Sequence, residues 1–142
     1  MKIATVVRVL LGLVFTVFGL NGFLNFIPRT PLPPLAGQFV GALVESHYMT
    51  PIFVLQLASG LLLLAGRYVP LALAVLAPII VNIILFHVCM APSGMPLALL
   101  VAGLWMVLAY RERSAFAGLF RQSSAEQWRE QNQNRGAATS QA

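Results

Sequence analysis

Three long stretches of the 142-residue chain contain no Asp, Glu, Lys or Arg. They cover residues 9–28, 46–66 and 68–110, which is about 20, 21 and 43 residues. A helix needs about 20 predominantly apolar residues to cross the hydrocarbon core of a bilayer. The first two stretches are therefore long enough for one crossing each, and the third is long enough for two.

The composition supports the same interpretation. Hydrophobic residues make up 58% of the chain and charged residues only 9%, whereas about a quarter of the residues in a soluble domain are charged. A water-soluble globule is therefore a poor explanation, and four crossings leave no room for a second domain. The sequence predicts an all-α fold, an integral membrane four-helix bundle.

The apolar runs, with the prolines and glycines between them, place the four spans at about residues 3–26, 51–66, 69–90 and 96–110. Residues 35–47 mix apolar and polar side chains, which predicts a short surface helix between the first and second spans. We expect three regions in chain order: a four-span transmembrane domain at 1–113, an interfacial segment at 114–121 and a disordered cytoplasmic tail at 122–142.

The net charge of +5 does not indicate nucleic-acid binding, because the basic residues flank the apolar stretches as orientation signals do. With four spans, both termini lie on the same side as the turn at Arg67. Eight of the nine Lys and Arg residues fall on that side, and only Arg29 falls on the other. Since cytoplasmic loops carry the excess of basic residues, we expect both termini in the cytoplasm of a multi-pass protein in the bacterial cytoplasmic (inner) membrane.

Hydrogen-bonding side chains are costly within hydrocarbon, so their positions are informative. With this topology, five of them from three spans lie in the outer half of the bilayer: Asn21, Asn25, Gln56, Asn82 and His87. Their clustering predicts a ligand-binding pocket that opens outward. The alternative is that they only hydrogen-bond neighbouring helices. Asn82 and His87 lie about 140° apart around one helix, so they cannot both face the pocket centre.

Cysteine and histidine content limits the chemistry that this chain can hold. Cys89 is the only cysteine, which excludes an intrachain disulfide, a two-cysteine relay and a metal site built on several thiolates. The two histidines, His47 and His87, lack the cysteine or carboxylate pattern that is typical of haem and metal sites. We therefore predict no metal site and no catalytic residue.

Three stretches of the chain resemble the DoxX-like family of small four-span bacterial membrane proteins. They read LLGLVFTVFGLNGFLNFIP (10–28), LQLASGLLLLAGRYVPLAL (55–73) and PIIVNIILFHVCMAPSG (78–94), and the likeness covers about residues 6–113. The resemblance implies a part in a membrane oxidoreductase system, because a related protein is a subunit of a thiosulfate:quinone oxidoreductase. Many relatives carry a glutamate where this chain has Gln56, so the resemblance does not extend to proton-coupled chemistry there.

Three functions are compatible with the sequence. The first is an accessory or quinone-contacting subunit of a membrane redox system, non-catalytic rather than an enzyme, with membrane or periplasmic oxidoreductase subunits as partners. The second is a binding or transport protein for a small apolar molecule from the outer leaflet, and the third is a structural or assembly factor. Quinone is the cofactor that the first function implies, whereas haem and metal are not expected. The lipid bilayer is a partner in all three, and each allows a homo-oligomer.

Overall fold

The computed structural model describes residues 2–28 and 31–120, together with the single positions 129, 132 and 133. Every regular element in these residues is helical, so the all-α prediction is confirmed. The α-helices are α1 (Lys2–Leu24), α2 (Pro34–Glu45), α3 (Met49–Ala65), α4 (Val69–Cys89), α5 (Met95–Arg111) and α6 (Arg113–Phe120), and a 3₁₀ turn (Pro92–Gly94) precedes α5.

Three segments of this fold are long and apolar enough to cross a membrane: Ile3–Leu24, Val69–Cys89 and Pro92–Arg111. Helices α2 and α3 meet the same criterion only as a pair, and they are bent by 86° where they join. The described chain therefore has three such helices, or four if the bent pair is one span. A 17-residue α3 is about 25 Å long, somewhat short of the ~30 Å hydrocarbon core.

The chain divides into two compact units, residues 1–112 and 113–142. Helices α1 to α5 form the first unit. Helix α6 belongs to the second and covers most of the segment predicted as interfacial, and its position relative to a membrane stays a prediction. The predicted disordered tail, 122–142, lies outside the described residues except for three positions.

Within the first unit, four helices form a closed ring in which α1 and α4 each pack against both α3 and α5. The interface between α1 and α3 is the most extensive of the four. The largest fully buried side chains come from all four helices: Phe15, Leu11, Leu63, Leu73, Leu76 and Leu108. Helix α2 contacts α3 only lightly and inserts the fully buried Ala36.

Glycines explain why α1 and α3 approach so closely. A Cβ atom on Gly12 would lie 3.1 Å from the carbonyl oxygen of Gly60, and one on Gly19 would lie 2.7 Å from the backbone nitrogen of Leu57. A Cβ on Gly22 would overlap the ring of Phe53. Positions nearer the C-terminus of α1 contact positions nearer the N-terminus of α3, so the two helices are antiparallel. Small residues of this kind let helix backbones meet where lipid supplies no hydrophobic driving force.

The turn between α3 and α4 lies at the end of the ring where α1 begins. Gly66 ends α3 with a left-handed φ of 66°, and the N–H groups of Gly66 and Arg67 donate to the carbonyls of Leu63 and Leu62. This is the Schellman arrangement that glycine favours at helix C-termini. The opposite end of the ring, where α1 and α4 end and α3 and α5 begin, holds the cavity.

A candidate binding cavity lined by five helices

A cavity of about 530 Å³ lies within the first unit between the C-terminal half of α1 and the N-terminal half of α3. Helices α4 and α5 form its other walls, and Val40 and Val44 of α2 close part of one side. The volume falls within the range of about 300–1,000 Å³ that is typical of small-molecule sites. Most of the lining is apolar or aromatic and includes Phe15, Phe18, Phe23, Phe53, Ile83 and Val101.

Six polar residues interrupt this apolar lining: Asn21, Asn25, His47, Thr50, Gln56 and His87. No Asp, Glu, Lys or Arg is among the described residues that line the cavity. Because an isolated charge is costly to bury without a partner, the cavity suits a neutral molecule. A few convergent polar groups in an apolar wall are typical of sites that orient a ligand.

Gln56 is the most deeply buried of these polar side chains. It lies on α3 with 8% of its surface exposed, and it lines the cavity. Its carboxamide makes no hydrogen bond to any residue in the part of the chain that the structure describes. Thr16 Oγ1, and not the amide of Gln56, is the fully buried side-chain polar atom without a partner among the described residues. The amide of Gln56 therefore keeps some accessible surface, and it is available to hydrogen-bond to a molecule in the cavity.

His87 sits near the C-terminus of α4 with one ring nitrogen already engaged. Its Nδ1 lies 2.9 Å from the carbonyl oxygen of Ala91, and a carbonyl oxygen only accepts, so Nδ1 donates. The ring packs against Gly94, where a Cβ would overlap the imidazole. In neutral imidazole the second nitrogen, Nε2, is then an acceptor. Glycine at position 94 makes room for this placement of the ring.

Asn21 and Asn25 both take part in ending α1. The N–H of Asn25 donates to the carbonyl of Asn21 over 2.9 Å, and Asn25 adopts a left-handed φ of 49°, which asparagine tolerates better than most residues. The side-chain oxygen of Asn21 accepts the N–H of Ile27 over 2.7 Å. These two residues therefore have a structural role as well as a place in the cavity wall.

Asn82 lies apart from the other four predicted site residues. It is exposed and does not line the cavity, whereas its neighbour Ile83 does. The cause is the rotation of about 140° between positions 82 and 87 of one helix. With His87 in the wall, Asn82 points to the outside of the ring. The structure thus brings together Asn21, Asn25, Gln56 and His87, and whether they bind a ligand stays a prediction.

Sequence reasoning missed two polar residues and most of the aromatic lining of the cavity. Neither His47 nor Thr50 was among the predicted pocket residues, yet both line the wall where α2 turns into α3. His47 has a φ of 61°, and a bend of this kind has no signal in hydropathy. Phe15, Phe18 and Phe53 lie on helices that are apolar all round, so the pattern does not show which face is internal.

His47 and His87 line the same cavity, but no three His, Cys, Asp or Glu side chains among the described residues lie close enough to hold a metal ion. Cys89 is exposed and unpaired by any disulfide. Comparisons with protein-family models, with curated proteins and with solved structures find no match for this chain. The geometry of the cavity is therefore the basis for a functional proposal.

Proposed function

We propose that this chain is a multi-pass protein of the bacterial inner membrane that binds a small, neutral, largely apolar molecule in the cavity at one end of its helix ring. Two features support the membrane location. Helices α1 and α4, and α5 together with the 3₁₀ turn before it, are each long and apolar enough to span. Their outer faces also carry many exposed large hydrophobic side chains, such as Leu13, Val81 and Leu100, which would be unfavourable in water.

The proposed orientation places the cavity toward the outer leaflet. The turn at Arg67 and the start of α1 lie at the end away from the cavity, and the basic residues of the sequence concentrate on that side, as cytoplasmic segments do. Helix α2 meets α3 at 86°, so with α3 along the bilayer normal α2 lies along the membrane surface. A molecule would then enter from the outer leaflet, past α2.

The single observation that carries the proposal is Gln56. Gln56 is 8% exposed as a residue, lines a cavity of about 530 Å³ and has a carboxamide with no hydrogen-bond partner among the described residues. A carboxamide in this position is suited to anchor the polar end of a molecule in the cavity. Structural amides in membrane helices instead bond a neighbouring helix. Asn21 and His87 bond to nearby backbone groups, so the purely structural interpretation applies to them better than to Gln56.

A role in a membrane redox system is one form of this proposal. A quinone and its reduced form, a quinol, are neutral and largely apolar and carry hydrogen-bonding oxygens, so the pair belongs to the class of molecule that the cavity suits. The resemblance to the DoxX-like family favours this form, with the chain as an accessory subunit rather than an enzyme. Transport of the bound molecule is the other form, and the identity of the molecule distinguishes the two.

Native mass spectrometry of the protein purified with extracted lipids and quinones tests the proposal. We expect the wild-type protein to retain a small neutral molecule and Gln56→Leu to retain less of it. Asn82→Leu is the matched control, because it also replaces a carboxamide with leucine but outside the cavity. Equal retention by both variants, or no retained molecule in the wild-type protein, would contradict the proposal.

A further inference from the structure

We infer that the polar end of the bound molecule is a hydroxyl group, as in a phenol or an alcohol, and that it donates a hydrogen bond to Nε2 of His87. This inference rests on the proposed binding function and adds to it the chemical class of the ligand. The argument follows from which hydrogen-bonding groups in the cavity wall are already used and which remain.

His87 supplies the requirement for a donor. Its Nδ1–H is committed to the carbonyl of Ala91 at 2.9 Å, which fixes the tautomer of the neutral ring and leaves Nε2 as an acceptor. A group that only accepts, such as a ketone or ether oxygen, cannot bond to this nitrogen. A ligand that satisfies His87 must therefore present an O–H or N–H group.

Gln56 and Asn21 supply the complementary requirement. The Oδ1 of Asn21 already accepts the N–H of Ile27 over 2.7 Å, so the amide of Asn21 offers mainly its NH₂ donors to the cavity. Gln56 offers two donors and an acceptor, and none of these is used within the described chain. A wall that offers donors from Asn21 and Gln56 and an acceptor from His87 suits a ligand whose polar end both accepts and donates.

A neutral hydroxyl is the smallest group that does both. A carboxylate or an ammonium group would bring a charge into a cavity whose described lining contains no charged partner, which is unfavourable. The rings of Phe15, Phe18 and Phe53 in the wall provide an apolar surface for the rest of the molecule, and aromatic rings pack well against one another. An alkylphenol has this combination of features.

The test compares 4-octylphenol with its methyl ether, which keeps the ring, the chain and the acceptor oxygen but lacks the donor. Dissociation constants are measured by calorimetry for the wild-type protein, His87→Phe and the control Asn82→Leu in one detergent. For each protein we take the ratio of the dissociation constant of the ether to that of the phenol. We expect this ratio to be roughly three- to tenfold larger for the wild-type protein and Asn82→Leu than for His87→Phe, which is the effect of one hydrogen bond. The comparison between variants cancels the different partitioning of the two probes into detergent.

A second measurement needs no variant. In protein with ¹⁵N-labelled histidine, the Nε2 resonance of His87 should shift when the phenol binds and stay in place when the ether binds. A phenol preference that His87→Phe leaves unchanged, or equal Nε2 shifts with both probes, would overturn the hydroxyl requirement while the binding function stands. If neither probe binds any of the three proteins, the binding of apolar aromatic molecules fails, and this inference fails with it.

Discussion

Arg8 shows how one side chain connects the two most closely packed helices. It lies about two turns into α1, and its guanidinium donates to the carbonyl oxygens of Leu63 and Leu64 near the end of α3. The last carbonyls of a helix lack partners within the helix and carry a partial negative charge. A guanidinium is well suited to this position because it has several donors and a permanent charge.

We expect Arg8→Met to lower the free energy of unfolding by about 1.5–3 kcal/mol, the typical worth of hydrogen bonds to a charged group. Methionine keeps most of the apolar stem, so the change removes mainly the donors. Arg67→Met is the control, because Arg67 is exposed and surface substitutions of this kind change stability by about 0.5 kcal/mol or less. Unfolding in SDS titrations measures both variants, and similar midpoints would show that the contact of Arg8 contributes little.

Single residues also mark where sequence reasoning succeeded and where it stopped. Gln56 and His87 were predicted from their depth in the spans, and the structure places both in one cavity wall. Asn82 shares that depth but faces outward, because depth along a helix contains no information about rotation around it. The carbonyl partners of Arg8 depend on which helix lies beside α1, and hydropathy does not determine that.

At the scale of helices, the contact between α1 and α3 depends on positions without side chains. Gly12, Gly19 and Gly60 lie where a Cβ would meet the backbone of the opposite helix at 3.1 Å or less. Glycines within apolar helices are typical of close helix approach, but the sequence does not show which helices approach each other. The cavity begins where this contact ends, since Gly22 on α1 and Phe53 on α3 both line it.

Gly19→Ala should destabilise the helix ring by about 1–3 kcal/mol, because the new methyl group overpacks a backbone contact that cannot move aside easily. Gly103→Ala is the control: a Cβ at Gly103 meets nothing within 4 Å, and alanine is a better helix former than glycine. Thermal or SDS-induced unfolding of the two proteins provides the comparison. A Gly19→Ala protein as stable as Gly103→Ala would refute close packing at this position.

Helix α4 contains a proline in its interior, and a neighbouring helix contributes a hydrogen bond near it. Pro78 has no N–H and leaves the carbonyl of residue 74 without its helical donor. One residue earlier, the carbonyl of Leu73 accepts the indole N–H of Trp105 from α5 over 2.9 Å. This bond joins α5 to α4 beside the proline, but it does not replace the donor that the carbonyl of residue 74 lacks. A proline inside an apolar run predicts an irregular helix, whereas the bond from Trp105 depends on which helix packs alongside.

At the scale of the whole molecule, the charge-free stretches predicted helices correctly, and of the four expected spans the described chain has three, or four if the bent pair counts as one. The third stretch divides into α4 and α5, with a 3₁₀ turn between them. The second stretch contains α3 alone, and α2 precedes it and meets α3 at a bend of 86°. The cavity was the least predictable feature, because its volume and aromatic lining arise from how five helices pack together.

The proposed topology predicts an alternation that reporter fusions can measure. An alkaline phosphatase domain, which is active only outside the cytoplasm, should be inactive when fused after residue 113 and active when inserted in the connection between α1 and α2. The reason is the concentration of basic residues at the end away from the cavity. An active fusion after residue 113 would contradict the cytoplasmic placement of the C-terminus.

The central claim is that a neutral apolar molecule occupies the cavity, and photolabelling with an alkyl diazirine phenol tests it most directly. Adjacent residues provide internal controls: Phe53 and Val101 line the cavity, whereas Val54 and Leu100 are exposed on the same helices. Mass spectrometry of the peptides should find carbene insertion at Phe53 and Val101, reduced by excess unlabelled phenol and by Gln56→Leu. Insertion confined to Val54 and Leu100, with no effect of competitor, would show that the molecule contacts only the outer surface and would contradict the account.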